Sequence, residues 1–455
     1  MPFFRVKTRD IVSLLLLVSP LVASGFDGVV SYRDIEPARS LMMPYNSDSL
    51  LMGGVAEPSL YVSPIDEWQR SEECDTLFVA KYVFPFEWLN REVILRLDYV
   101  DAPYSVEVNG KSVASVTNGG SRTEFNITRQ TEEGANILEL RLSPNSKERA
   151  VEGWRESNKL GFEPIVGGAV LAPSKLSIRD IFTRTNRAGG GAMNSEIGVV
   201  LKSYNLNERV SVWRYRLRNS RGEVVANGKD TIKLRYRSED TLYISTQLRR
   251  EDAWSGGSDN GGLHELSIEL RHDERIAEVH RLNLGLRSLE VDDDGKVWVN
   301  GDEVALRAMR IEERTSRNEI IRLRDSGVNT LLFSAGDEAK GLYEMLTICD
   351  EEGLFAIVTA PINSRRSGDE ITVGGNVTNN REWLDEYRER LVRGYYNVRR
   401  HPSVVAYNMA TKSLNGYNLY EGYLLMKGLD ERFAIVNLDG GDEWNGDNIK
   451  FELVK

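Results

Sequence analysis

Residues 327–359 read GVNTLLFSAGDEAKGLYEMLTICDEEGLFAIVT. A short apolar run at 329–333 leads into an amphipathic stretch at 340–352, and a second short apolar run follows at 354–359. Short apolar runs beside glycine suit buried strands, while the stretch between them has helical length and spacing. The segment therefore predicts one parallel strand–helix–strand unit. The alternation continues in both directions. Upstream, 296–300 and 304–309 predict strands and 316–326 a helix; downstream, 381–399 predicts a long helix, 404–408 a strand, 419–427 a helix and 433–437 a strand. This pattern predicts a (β/α) barrel over residues 288–455, with about five strands where a closed ring has eight.

Ahead of the barrel the periodicity changes to two. Runs such as LFVAKYVF, EVILRLDYV and NILELRLS, separated by Asn, Gly, Pro and Asp, predict an antiparallel sandwich of jelly-roll type over 25–173. Asn109-Gly110 between two such runs predicts a tight hairpin, because both turn residues must take positive φ. A second set, including KLSIRDIFTRT, EIGVVLKSYN, RVSVWRYRLRN and HELSIELRHD, predicts an immunoglobulin-like sandwich of about seven strands over 174–287. The glycine-rich runs 187–192 and 255–262 predict surface loops, since neither opens an amphipathic helix as a phosphate loop does.

Composition narrows the chemistry. Lys and Arg number 58 against 69 Asp and Glu, so the net charge of -11 gives no general attraction to nucleic acid. Four histidines and two distant cysteines, Cys74 and Cys349, are too few for a zinc cluster, so no metal and no cofactor is expected. The N-terminus places Arg5, Lys7 and Arg9 before an apolar run from Ile11 to Val22, with small residues Ala23, Ser24 and Gly25 behind it, which predicts a cleaved signal peptide over residues 1–24 and an exported product. The run is shorter than the roughly 20 residues a spanning helix needs, so no membrane span is expected after cleavage. The expected location is periplasmic, cell-surface or extracellular.

The stretches YSVEVNGKSVASVTNGGSRTEFNIT, GANILELRL, SIRDIFTRT, KVWVNGDEVALRAM and NVRRHPSVVAYNMATKS, in this order, resemble glycoside hydrolase family 2, the family of β-galactosidases, β-glucuronidases and β-mannosidases. The resemblance implies a jelly-roll sugar-binding domain, an immunoglobulin-like domain and a catalytic barrel. It also implies a proton-donating glutamate, preceded by asparagine, after the fourth barrel strand and a nucleophilic glutamate after the seventh. Here Thr411 stands in place of that asparagine and Lys412 in place of that glutamate, and no seventh strand is read. Other positions depart together: Arg310 and Glu312 after the first strand, Leu332 and Ala335 after the second, Val358 and Thr359 after the third. Retaining hydrolysis needs two carboxyl groups about 5–5.5 Å apart, and a lysine ammonium would repel the developing oxocarbenium charge. The expectation is a catalytically inactive relative.

The candidate substrate-binding residues are Arg310, Glu312, Asp337, Glu338, Asn408 and Trp444. Trp444, within DGGDEWNGDN, combines a flat apolar face with neighbouring Asp and Asn, as a sugar-stacking platform requires; a tryptophan packed on the domain edge is the plainer alternative. An improvised acid pair among Glu312, Glu313, Asp337, Glu338, Asp439, Asp442 and Glu443 would instead support inverting hydrolysis. Arg388, Arg390, Arg393, Arg399 and Arg400 are read as a solvated helix face paired with Glu386 and Glu389. Five parallel strands cannot close, so their edges are expected to be covered by the alternating run 449–453 or by a partner or second copy. Three functions stay open: a glycan-binding or assembly module, an active β-galactosidase-like hydrolase using non-standard carboxylates or a partner-completed site, and a structural cell-envelope protein.

Overall fold

The computed structural model describes residues 30–31, 60–65, 67–147, 151, 160–161, 163–257, 262–272, 275–311, 314–334, 341–364, 376–438 and 446–454. The first region is a sandwich. Lys111–Val116, Tyr104–Val108, Gly134–Leu142 and Leu77–Phe84 form the middle of a six-stranded sheet, which faces a four-stranded sheet built around Ala169–Leu171, Ile94–Leu97 and Thr123–Asn126. Their alternating inward residues, among them Leu95, Leu97, Val106, Leu138 and Leu140, are fully buried. Asn109 (φ 52°) and Gly110 (φ 69°) make the two-residue turn anticipated between Tyr104–Val108 and Lys111–Val116.

The second region packs three strands, Leu176–Arg187, Ala192–Ser203 and Glu239–Arg249, on four, Val224–Leu234, Arg209–Arg218, His264–His272 and Arg275–Leu284. This is an immunoglobulin-like sandwich whose core includes Ile181, Ile197, Trp213 and Ile268. The 187–192 run is the turn of the first hairpin, where Ala188 N–H donates to Ala192 O at 2.8 Å. The described start of the other glycine run is not a free surface loop. Gly257 N–H donates to Gly353 O at 2.7 Å, and a Cβ on Gly256 would meet the Phe355 ring at 2.7 Å, so the run is docked on the barrel.

The third region is a curled parallel sheet. Its elements are β1 (Leu306–Ile311), α1 (Arg317–Asp325), β2 (Thr330–Phe333), α2 (Leu342–Glu352), β3 (Phe355–Thr359), α3 (Leu384–Val398), β4 (Val404–Asn408), α4 (Tyr417–Leu429), β5 (Ala434–Val436) and β6 (Phe451–Leu453). The five strands read from sequence pair in order, and β6 lies parallel to β1 on its outer side. Local signals explain the helix boundaries. Ser316 and Glu319 form a reciprocal capping box at the start of α1. At the end of α2, Gly353 adopts φ 71°, a left-handed conformation that glycine takes without the Cβ clash.

Residues on one face of these strands, Leu306, Ala308, Leu332, Ile357, Ala406 and Val436, pack inward with Trp254 and Val297. Those on the other face, Ile311, Phe333, Val358, Tyr407 and Ile435, pack under the helices. The two cores show why the strands read as continuous apolar runs: both faces are buried. Trp254 ties the second region to the third. It is fully buried, meets Phe355 edge-on at 5.6 Å, and its Nε1 donates to Asp350 O at 3.0 Å. Trp88 instead fills the first sandwich.

The face of α3 read as solvated is in large part buried, although Arg388 stays 40% exposed beside Glu421. Arg390 and Arg393 are buried and paired with Glu386 and Glu389 at 2.6 and 2.7 Å, and Arg390 Nη2 also donates to Thr117 O of the first sandwich at 3.0 Å. Arg399 reaches Asp180 of the second sandwich at 2.6 Å. Spacing of Arg and Glu at i,i+4 looks the same beside water and beside another domain, which is why sequence periodicity misassigned it. A second charged cluster joins the two sandwiches. Glu124 accepts from Arg96 and pairs with Arg179 at 2.5 Å, and all three side chains are largely buried. Next to it, Arg122 N–H donates to Asn397 Oδ1 at 3.0 Å while its guanidinium lies 3.6 Å from the centre of the Tyr343 ring.

Candidate functional site

Strand alternation sets which residues face the concave mouth of the sheet. Continuing from Ala308, Leu332, Ile357 and Ala406, the next inward positions at the C-terminal ends are Arg310, Ser334, Thr359 and Asn408. The sequence reading marked Arg310 and Asn408 but passed over Ser334, which the same two-residue step would have found. Val358, one of the two departing positions after the third strand, faces the helices.

Arg310 is exposed, and its Nη1 donates to Ser334 Oγ at 2.9 Å. Asn408 is buried and ties three strand ends together: its Nδ2 donates to Thr359 Oγ1 at 3.2 Å and to Ala410 O at 2.8 Å, while its Oδ1 accepts from Leu438 N–H at 3.0 Å. The other four candidates, Glu312, Asp337, Glu338 and Trp444, lie outside the described residues, as do Glu313, Ala335, Asp439, Asp442 and Glu443. Among the described residues, the inward positions at the ends of β1 to β4 carry one cation, two hydroxyls and one amide, and no carboxylate.

The turn after β4 holds Thr411 and Lys412. Thr411 is buried and its N–H donates to Ile362 O at 2.9 Å. Lys412 is exposed and adopts φ 42°, an uncommon left-handed conformation for a residue with a side chain. A buried hydroxyl chain fixes this turn from below. Tyr387 OH donates to Ser364 Oγ at 2.7 Å, Ser364 Oγ to Ser413 Oγ at 3.0 Å, and Ser413 Oγ to Thr411 O at 3.1 Å. Ser413 Oγ also accepts from Ser364 N–H at 3.0 Å. Replacing Ser413 with alanine strands buried polar groups on both sides, so a loss of about 1–3 kcal/mol in urea unfolding is expected. An unchanged midpoint would show that the chain does not hold the turn.

One open cleft has a volume of about 610 Å³. It is lined by Arg314, Thr315, Ser316, Arg317, Glu344 and Ile348, from the loop after β1, the start of α1 and α2. Among the described residues no three His, Cys, Asp or Glu side chains converge to hold a metal ion, and no helix is long and apolar enough to cross a membrane.

Two β-sandwiches leading into a curled β/α sheet, with polar residues at the C-terminal strand ends, define the sandwich-and-barrel class of multidomain protein. Residues 301–444 match the family model described as the TIM barrel domain of glycosyl hydrolases family 2. A curated relative, a β-galactosidase of Priestia megaterium, is 21% identical, covering 84% of this chain and 39% of its own length. Among solved structures, Bacteroides uniformis β-glucuronidase 2, with a covalently bound cyclophellitol-6-carboxylate aziridine, is similar with TM-score 0.63 at 15% identity, over 79% of this chain and 46% of that one. A β-D-mannosidase from Dictyoglomus thermophilum is similar with TM-score 0.57 at 18% identity, over 76% and 46%. The chain thus spans less than half the length of these relatives. It is a glycoside hydrolase family 2-like protein, with the fold of that family's two sandwiches and an incomplete TIM-type barrel.

Proposed function

We propose that this chain is an exported glycoside hydrolase family 2-like protein that binds a glycan at the barrel mouth and does not cleave it. The observation that carries the reading is Lys412. It occupies the position that the family resemblance gives to the proton donor, exposed on a turn fixed by Thr411 and Ser413. A cation there opposes an oxocarbenium-like transition state. Hydrogen-bonding groups around it suit sugar hydroxyls, and Arg310 adds donors in a planar fork. The charged, apolar and small-residue segments of 1–24 support export.

The similarity to a β-galactosidase and a β-glucuronidase favours a second reading, in which loop carboxylates such as Glu312, Asp337 and Glu338 form a working pair. Glycan-array binding separates the two when run beside a panel of chromogenic glycosides. Saturable binding that drops about tenfold in Arg310→Ala, with no turnover, is the expected result; about tenfold corresponds to roughly 1.4 kcal/mol. Turnover abolished by Glu312→Gln or Glu338→Gln would establish the second reading instead.

A further inference from the structure

Close-packed interiors pass small displacements on, so a side chain from one region buried in the core of another fixes the position of both. Val151 is such a residue. It follows Gly134–Leu142, a long strand of the first sandwich, and the chain is back against that sandwich at Ile165–Val166, which pairs with Tyr99–Val100. Between these strands Val151 is fully buried, and it belongs to the core under the barrel helices together with Ile362, Tyr387 and Ala410. Its backbone is held there as well, because Asn363 N–H donates to Val151 O at 2.8 Å.

Asn363 lies in the short connection 360–364, which follows β3 and runs beside the turn carrying Lys412. Ala360 N–H donates to Asn408 O at 2.9 Å, and Ile362 O accepts from Thr411 N–H at 2.9 Å. Ser364 N–H donates to Ser413 Oγ at 3.0 Å. The connection thus grips the turn on both sides of Lys412, and Val151 ties the connection to the first region. A second contact from that region reaches the same place. Thr117 O accepts from Arg390 Nη2 at 3.0 Å, and Arg390 lies about one helical turn after Tyr387, whose hydroxyl donates to Ser364 Oγ at 2.7 Å. Two separate segments of the first region therefore converge on 360–364.

We propose that Val151 is a positioning residue for the barrel mouth: it plugs the first region into the barrel core, sets the position of 360–364 and, through Thr411 and Ser413, fixes how Lys412 is presented to a ligand. Truncating a buried side chain leaves space that its neighbours fill only in part, so shortening Val151 lets 360–364 shift. Such a shift passes to Thr411 and Ser413 through the bonds that hold them. The predicted effect on affinity rests on the reading of the mouth as a glycan site, whereas the predicted effect on the turn does not.

The test compares Val151→Ala with Val106→Ala, the same truncation in the core of the first sandwich, in the full chain. Affinity is measured with p-nitrophenyl β-D-galactoside, β-D-glucuronide and β-D-mannoside, and the turn is followed by residue-level hydrogen exchange at Asn363 and Thr411. Val151→Ala is expected to speed exchange at both amides about tenfold and to raise the dissociation constant of whichever glycoside the wild type binds about tenfold. Val106→Ala should change neither, and Val151→Ile, which keeps the apolar volume, should stay within about twofold of the wild type. Unchanged exchange at Thr411 would overturn the proposal. So would faster exchange with unchanged affinity, or an equal response to Val106→Ala. If the wild type binds none of the three glycosides, the glycan reading fails for these sugars, and exchange at Asn363 and Thr411 alone decides the role of Val151. Should Val151→Ala not fold, Val151→Thr, equal in shape, is measured in its place.

Discussion

Replacing Glu124 with glutamine is expected to lower stability by about 3–5 kcal/mol at neutral pH, because Arg96 and Arg179 would then be buried without a countercharge. Burial alone would raise the Glu124 carboxyl, but the guanidinium groups of Arg179 and Arg96 outweigh it and hold the group down to about 2 from an ordinary 4.5. A carboxyl depressed on folding stabilises the native state when it is ionised. That contribution is complete above about pH 4.5 and disappears as the pH falls towards 2. It amounts to about 3 kcal/mol. The wild type should therefore lose stability steeply across this window, while Glu124→Gln should show a flatter profile from a lower start. Urea unfolding of both proteins between pH 7 and 2.5 measures this. Parallel profiles would mean that the cluster is not the source of the acid sensitivity. Since Glu124 and Arg179 belong to different sandwiches, the variant should also weaken the junction between them.

The second large effect is expected at Trp254. Truncation to alanine removes a fully buried indole from the junction between the second sandwich and the barrel, and it strands Asp350 O. Aromatic truncations of this kind cost about 3–5 kcal/mol. The loss should not be uniform. Hydrogen exchange is expected to rise in β3 and in the 255–257 docking segment, where Phe355 and Gly256 lean on the same site, before it rises in the first sandwich. A uniform rise throughout the chain would instead indicate one cooperative unit.

Much of the fold was readable because its signals are local. The barrel strands appear as short apolar runs, since both their faces are buried, and the Asn109-Gly110 turn follows from a favoured hairpin conformation with positive φ at both residues. Relations between distant segments were not readable. Arg390 and Arg399 look like surface charges until Thr117 and Asp180 are brought against them. Asp447 gave no signal in sequence, because the Ile435 N–H that its carboxylate accepts from lies twelve residues earlier. The run 449–453 was legible as a strand, and in the structure its Phe451–Leu453 part pairs with β1. At the site, Lys412 was identified from the family resemblance, whereas the hydroxyl chain beneath it joins residues too far apart for any motif to link.

In the function proposed above, the barrel mouth would hold a sugar without breaking its glycosidic bond. Incubating homogeneous protein with a saturating nitrophenyl glycoside chosen from its own binding profile, and following free nitrophenol over many hours, tests this most directly. Bound ligand is expected to be recovered intact, with nitrophenol at the level of the buffer control. Release in proportion to protein concentration, persisting through repurification and abolished by removing one loop carboxylate, would contradict it.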